Sequence, residues 1–326
     1  MTKGEPSGVL VFDKPRGCTS HDVVARVRRT LGTRAVGHAG TLDPMATGVL
    51  VVMVGEATKL APWLTAQHKG YEATVALGVE TDTLDADGRE SKREALSPEL
   101  CEALRQSAGL RTTASLLESA LDVERRRASQ LPPVYSAIQS GGERAYAQAR
   151  RGEAPTLATR PVRVSRLELT ACCDAPPTLS VSLDVSKGYY VRALARDLAN
   201  TLGTVGHLTS LRRLKSGSFG LGEALAIDAD AGEMTARMSA LSAAASRALP
   251  LGRLTAAGAD DARHGRRVAP DAISAPSSGP SAWIDALGEL VAVGELEDDG
   301  GGRVIRGFSA TSSAPPPPVE PLPERP

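Results

Sequence analysis

The chain has 326 residues, 41% hydrophobic and only 3% aromatic, enough for a large core built on Leu, Val and Ala beside a smaller second domain. Its 38 Lys and Arg balance 38 Asp and Glu, so there is no overall pull toward nucleic acid; yet the basic residues cluster, and acidic ones gather elsewhere, as in "ELEDD". Four cysteines without a CxxC pair argue against a disulfide scaffold or a zinc site, and neither a secretory leader nor an apolar run near the ~18 residues of a membrane span is seen, so a cytoplasmic protein with no membrane partner and no metal is expected.

Val9–Phe12 reads as a short buried strand closed by the turn formers of Asp13-Lys14-Pro15-Arg16-Gly17. A helix follows, with Thr19 and Asp22 at capping-box spacing, Val23, Val24, Val27 and Leu31 on one face, and Gly32 as its stop. Its other face carries Arg26, Arg28 and Arg29. After the loop "HAGTLDPMATG" come a buried strand over Val49–Val54, a helix through "EATKLAPWLTA" interrupted by Pro62, and a strand from Tyr71 in "YEATVALGV". Ser97-Pro98-Glu99 opens another helix. The stretch through "ESALDVERRRASQ" reads as polar and irregular, "LPPVYSA" as non-helical, and "ERAYAQARRGE" as a helix. Strand patterns return in "RVSRLELTA", "LSVSLDVSKGYY" and "HLTSLRRLKSGSF", with a helix from Tyr190 to Leu202. Strands and helices interleave without regular βαβ alternation, which predicts an α+β fold with a mixed sheet. Boundaries are expected near 250, where a small β-rich unit begins with "SAWIDALGELVAVGELEDDGG" as its hairpin, and near 310, where a Pro-rich tail over 311–326 has a composition that cannot bury a core.

The loop at Asp43 holds one carboxylate among small residues. An Asp before Pro in such a loop is ordinarily a turn residue, and one carboxylate alone suits neither a two-acid glycosidase nor a metal cage. It could serve as a nucleophile if a cation held it ionised and oriented, and Arg192 in "SKGYYVRALARDLANTLG" is a candidate, though Arg196 one turn on makes a solvated arginine face an equal reading. Asp85, Asp87, Gly88 and Glu94 fall on EF-hand offsets, but Thr83 stands where Asp is required and a strand precedes, so a capped acidic turn is the better reading. His38 is a lone loop histidine, able to stack on a nucleobase if exposed. Arg26 with Arg28 and Arg29, Arg125 to Arg127, Arg144 with Arg150 and Arg151, and Lys187 with Arg212, Arg213 and Lys215 would form a phosphate footprint if they shared one face.

Together, "GVLVFDKPRGCTSHDVV", "GHAGTLDPMATGVLVV", "TDTLDADG", "LPPVYSAIQSGGERAYAQARRGE", "SKGYYVRALARDLANTLG" and "HLTSLRRLKSGSF" resemble, in order and approximate spacing, the TruB-type tRNA pseudouridine synthases over residues 8 to about 225. The resemblance implies a pseudouridine-synthase catalytic domain over 1–250, a PUA-like unit over 251–310, and isomerisation of the T-loop uridine-55 by base flipping. It assigns Asp43 as nucleophile, Tyr71 as the group stacked on the flipped uracil and helping to remove its C5 proton, and Arg192 as the partner of Asp43. Leu211 becomes an apolar wall and His38 the residue filling the vacated loop position, while Arg212 and Lys187 join them as residues expected to meet the RNA, together with Lys14, which falls with Pro15 in an N-terminal motif whose implied role is also structural. No cofactor, a tRNA T-arm as the only obligatory partner, and a stand-alone monomer complete the expectation. Two departures stand out: the segment from Gly109 to Gln130 is longer than the family's usual connection, and Ala193 follows Arg192 where a hydroxyl residue is common.

Overall fold

In a computed structural model, the described residues are 6–309 apart from 110–111, 137–138, 141–142, 145–147, 149–150, 152–156 and 277. The helix expected in "ERAYAQARRGE" and the Pro-rich tail therefore lie outside or almost outside the described residues. The chain divides into two compact units, Val9–Ser239 and a second formed by the residues before Val9 with those from Ala240 on. Among the described residues no helix is long and apolar enough to cross a membrane.

The first unit is built on an eight-stranded mixed sheet. Its strands are β1 (Gly8–Lys14), β2 (Val36–His38), β3 (Thr47–Val54), β4 (Lys69–Leu77), β5 (Val164–Asp174), β6 (Pro177–Val185), β7 (Gly206–Ser216) and β8 (Phe219–Gly220). The spatial order is β1-β3-β7-β4-β6-β5, with β2 added to β3 and β8 to β7; β3 and β7 run parallel, and β7, β4, β6 and β5 are successively antiparallel. The sequence patterns follow from what covers each strand. Gly48 to Val54 is buried on both faces and reads as a continuous apolar run, whereas Tyr71, Ala73, Val75 and Leu77 alternate with Glu72, Thr74 and Ala76 because β4 is covered on one face.

Helix α1 (Ser20–Leu31) has the expected capping box at Thr19 and Asp22 and ends on Gly32 at φ 66°. Its Val23, Val24 and Val27 pack with Leu10, Phe12, Leu50, Val52 and Val54 from β1 and β3. Helices α2 (Pro98–Ser107), α3 (Ser115–Arg125) and α4 (Val191–Thr201) share the other core with Tyr71, Ala73, Val75, Leu77, Leu183 and Leu211. Helix α3 corrects the irregular reading of "ESALDVERRRASQ". Leu117, Ala120, Leu121 and Glu124 form its buried face, and the fully buried Glu124 is held by both Arg127 Nε and Nη2 at 2.7 and 2.6 Å, so an acidic residue occupies a core position and masks the apolar period. Strand β4 also begins two residues before Tyr71, at Lys69.

The second unit carries a five-stranded sheet in the order β10-β9-β11-β12-β13, consistent with a PUA-like domain, formed by β9 (Leu251–Leu254), β10 (Ile273–Ser274), β11 (Ser281–Ile284), β12 (Leu290–Leu296) and β13 (Gly302–Gly307). Its core gathers Leu254, Ala259, Ala262, Val268, Val291 and Ala292 around the fully buried Trp283, whose indole N–H donates to Ser281 Oγ at 2.9 Å.

Candidate active site

The loop between β2 and β3 is pinned from several sides. Ala39 N–H donates to Val51 O, and Asp43 O accepts from Ala46 N–H, closing a turn over Pro44. Ser20 Oγ accepts from Leu42 N–H at 2.8 Å and donates to Leu42 O at 3.1 Å. Pro44 O accepts from Gly17 N–H at 2.9 Å and from Lys14 Nζ at 3.3 Å. Leu42 and Met45 point into the core at 3% exposure each, so the residues around Asp43 are fixed while its own side chain stays 32% exposed. Gly48 permits the next step of the chain. At φ 103° it lies so close to β7 that a Cβ there would sit 2.2 Å from Arg213 O, a contact only glycine avoids.

Arg192 meets that carboxylate with a two-pronged contact, Nε to Oδ2 at 2.9 Å and Nη2 to Oδ1 at 3.0 Å. Its remaining donors reach Thr83 O at 2.9 Å and Tyr135 O at 3.0 Å, and Asp85 Oδ2 lies 3.5 Å from Nε. A cation in the first turn of α4 opposes the helix dipole by about 0.3–1 kcal/mol, whereas each hydrogen bond to a charged group contributes about 1.5–3 kcal/mol, so the partners and not the helix decide its place. Two of those partners depend on Leu84, the one described non-glycine residue at positive φ, 61°, a conformation costing roughly 1–2 kcal/mol that turns Thr83 O and the Asp85 carboxylate toward the same guanidinium. Asp85 is further held by Thr83 Oγ1 at 2.6 Å and Asp87 N–H at 3.1 Å, the geometry of a capped acidic turn.

The start of α4 lacks a side-chain cap and is held instead by Gln130. Its amide accepts from Tyr190 N–H at 2.9 Å and donates to Tyr190 O at 3.1 Å, while Arg196 Nη2 donates to Leu131 O at 2.9 Å. With the Arg192–Tyr135 bond, the segment from Gln130 to Tyr135 is stitched to α4 at three points. Arg196 is therefore a structural residue and not part of a solvated face.

These residues border a cleft of about 1100 Å³ whose lining includes Asp43, Tyr71, Leu211, Arg192 and Lys187, so five of the expected site residues share one cavity. Tyr71 and Arg213 are register partners on β4 and β7, with Leu211 two residues along, which places the aromatic and the aliphatic wall side by side. Three expected residues lie elsewhere. Lys14 is fully buried, its Nζ donating to Cys18 O at 2.8 Å, Pro15 O at 2.9 Å and Pro44 O; burial pulls its pKa down, and it braces the Asp43 loop instead of meeting RNA. Arg212 points to the opposite face of β7 and pairs through both Nη atoms with Asp13 at 3.0 and 2.7 Å. His38 ends β2 and does not line the cleft; its half-buried ring leaves Nδ1 without a partner among the described residues, and burial, then Arg213 and His21, lower its pKa. The basic clusters do not make one uninterrupted footprint either, since Arg125 is taken by Glu118 and Asp122, Arg127 by Glu124, and Lys215 by Asp184. Asp85 and Gln130 were not among the expected site residues. The acidic turn pointed toward Asp85, but nothing local distinguishes Gln130.

Comparison with known proteins adds to this geometry. A family model described as TruB family pseudouridylate synthase (N terminal domain) matches residues 28–191. The tRNA pseudouridine synthase B of Mycobacterium sp. strain KMS is 46% identical over 272 residues, covering 83% of this chain and 87% of that protein. Its counterpart in Thermobifida fusca is 43% identical over 290 residues, covering 86% and 94%. A chain in a solved H/ACA ribonucleoprotein bound to a substrate RNA containing 2′-deoxyuridine superposes with a TM-score of 0.66 at 20% identity, over 94% of this chain and 87% of that one, a likeness of fold. With the match spanning the Asp43 loop, β4 and the start of α4, the chain belongs to the TruB family of pseudouridylate synthases.

Proposed function

We propose that this protein converts a uridine of tRNA to pseudouridine, specifically uridine-55 of the T-loop, acting as a stand-alone monomer without a cofactor. The observation that carries the reading is the Asp43 carboxylate, clamped through both oxygens by Arg192 and left open to a cleft walled by Tyr71 and Leu211. In the isomerisation the bond from ribose C1′ to N1 breaks, the uracil turns, and C1′ bonds to C5. The C5 hydrogen leaves as a proton and N1 gains one, so no electrons are exchanged with an acceptor and no cofactor is invoked.

Asp43 attacks the nucleoside, and its fixed neighbours keep it in a near-attack position without reorganisation. Tyr71 stacks on the extruded uracil and assists departure of the C5 proton, while Leu211 beside it excludes water. Extrusion from a folded loop costs a few kcal/mol, offset by stacking and by contacts to the RNA backbone. The names of the relatives favour tRNA as the substrate. The test is to incubate the purified chain alone, without guide RNA or added protein, with unmodified tRNA carrying tritium at uridine C5, and to map the product by carbodiimide-dependent reverse-transcription stops. Tritium release with a single stop at position 55 supports the reading; release with stops elsewhere, or none, overturns it.

A further inference from the structure

The cleft wall beside Asp43 holds two cations that the isomerisation does not use. Lys69 is 7% exposed and Arg213 1% exposed, and both line the cavity. Lys69 Nζ donates to Thr65 O and Gln67 O, each at 2.6 Å; Arg213 donates from Nε to Val49 O at 2.6 Å and from Nη2 to Gly40 O at 3.0 Å. Among the described residues neither has a carboxylate within ion-pair distance, and each keeps an N–H for which no protein acceptor is present: the third on Lys69 Nζ, and those on Arg213 Nη1. The Asp43 and Asp85 carboxylates share Arg192.

Two buried like charges side by side are unfavourable unless an anion joins them. Burial lowers the Lys69 pKa to about 8, with the charges of Arg213 and then Lys187 adding to the effect. Between them lies the open side of Gly40. A methyl group added there would be 3.7 Å from both Arg213 Nη1 and Lys69 Cε, and φ of 109° disfavours any side chain, so glycine keeps this gap clear. Lys69 also stands two residues before Tyr71 on the same face of β4, roughly 6.6 Å along the strand.

Uracil and ribose are neutral, and the anionic group of an RNA substrate is its phosphodiester. We infer that Lys69 and Arg213, on either side of Gly40, form a subsite for the backbone phosphate next to the extruded uridine. The inference rests on the proposed RNA substrate. Arg213 offers a rigid donor and Lys69 a point charge, a combination suited to two phosphate oxygens. The phosphate then sets how deeply the nucleotide enters, while Tyr71 reads its base.

The test is a coupling measurement on binding. T-arm RNA hairpins are made with a neutral methylphosphonate at the phosphate 5′ or 3′ of the target uridine, and Kd is measured for wild type, Lys69→Met and Lys69→Arg. Wild type loses about tenfold in affinity for one of the two modified hairpins. Lys69→Met loses about the same with unmodified RNA, loses no more with that methylphosphonate, and shows a salt slope reduced by about one, whereas Lys69→Arg retains most of the affinity. Because the Met variant loses a buried charge but also the donor to Thr65 O and Gln67 O, its melting temperature is measured beside Kd, and Kd is read well below it. Penalties that add at both phosphates, or an unchanged Kd for Lys69→Met, overturn the subsite. If wild type fails to release tritium, the proposed reaction falls, and the binding cycle still decides this inference on its own.

Discussion

The Asp43 cleft and the C-terminal unit both carry many charges but arrange them in opposite ways. Around the cleft, Lys14, Arg192 and Arg213 are almost wholly buried and their hydrogen bonds run largely to backbone carbonyls, holding chain segments in place around the Asp43 carboxylate. In the C-terminal unit the charges pair with each other at the surface: Arg266 with Asp260 and Asp261, Arg303 with Glu295, and Arg267 with Glu297 and Asp299. The acidic run "ELEDD" is thus partly neutralised by arginines of its own unit. Charges bonded to buried main chain position a site; exposed side-chain pairs adjust solubility and contribute little to stability.

That contrast can be broken in graded steps. Replacing Arg192 with Met leaves Asp43 and Asp85 without their cation and frees two carbonyls. With Asp43 partly exposed we expect about 3 kcal/mol lost in denaturant unfolding, and single-turnover isomerisation about a hundredfold slower or worse. Lys14→Met removes three hydrogen bonds to part-buried carbonyls, which should lower stability by about 2 kcal/mol and slow turnover through the displaced Asp43 loop, while the tRNA Kd stays near wild type. Gln130→Ala strips both Tyr190 backbone partners and should cost about 1–2 kcal/mol with a smaller fall in kcat and little change in KM. Arg267→Ala should leave turnover unchanged and shift the melting temperature little. A large effect there, or a silent Lys14→Met, would erase the distinction between the two regions.

Much of the fold was legible because local rules agreed. The capping box and Gly32 delimited α1, and continuous versus alternating apolar patterns separated β3 from β4. Helix α3 was missed because Glu124 occupies a core position, acceptable only with Arg127 beside it. At the site, Asp43 stood out by its isolation, but no periodicity could join it to Arg192, 149 residues away; the family resemblance supplied that link. Lys14 and Arg212 were misplaced by the sequence reading for different reasons. A lysine near a turn looks solvated until three carbonyls converge on it, whereas strand alternation put Arg213 on the Leu211 face and Arg212 on the other, a signal present in "LRRL" and unused. Gln130 and Lys69 depend on contacts formed only after the chain has folded.

The most direct test is single-turnover tritium release from C5-labelled tRNA by Asp43→Asn, run beside wild type with Kd and melting temperature measured on the same preparations. Asparagine keeps the size and an acceptor for Arg192 but loses the nucleophilic carboxylate. Unchanged folding and tRNA binding with no release above background is the predicted result. Release at a rate close to wild type would contradict Asp43 as the nucleophile.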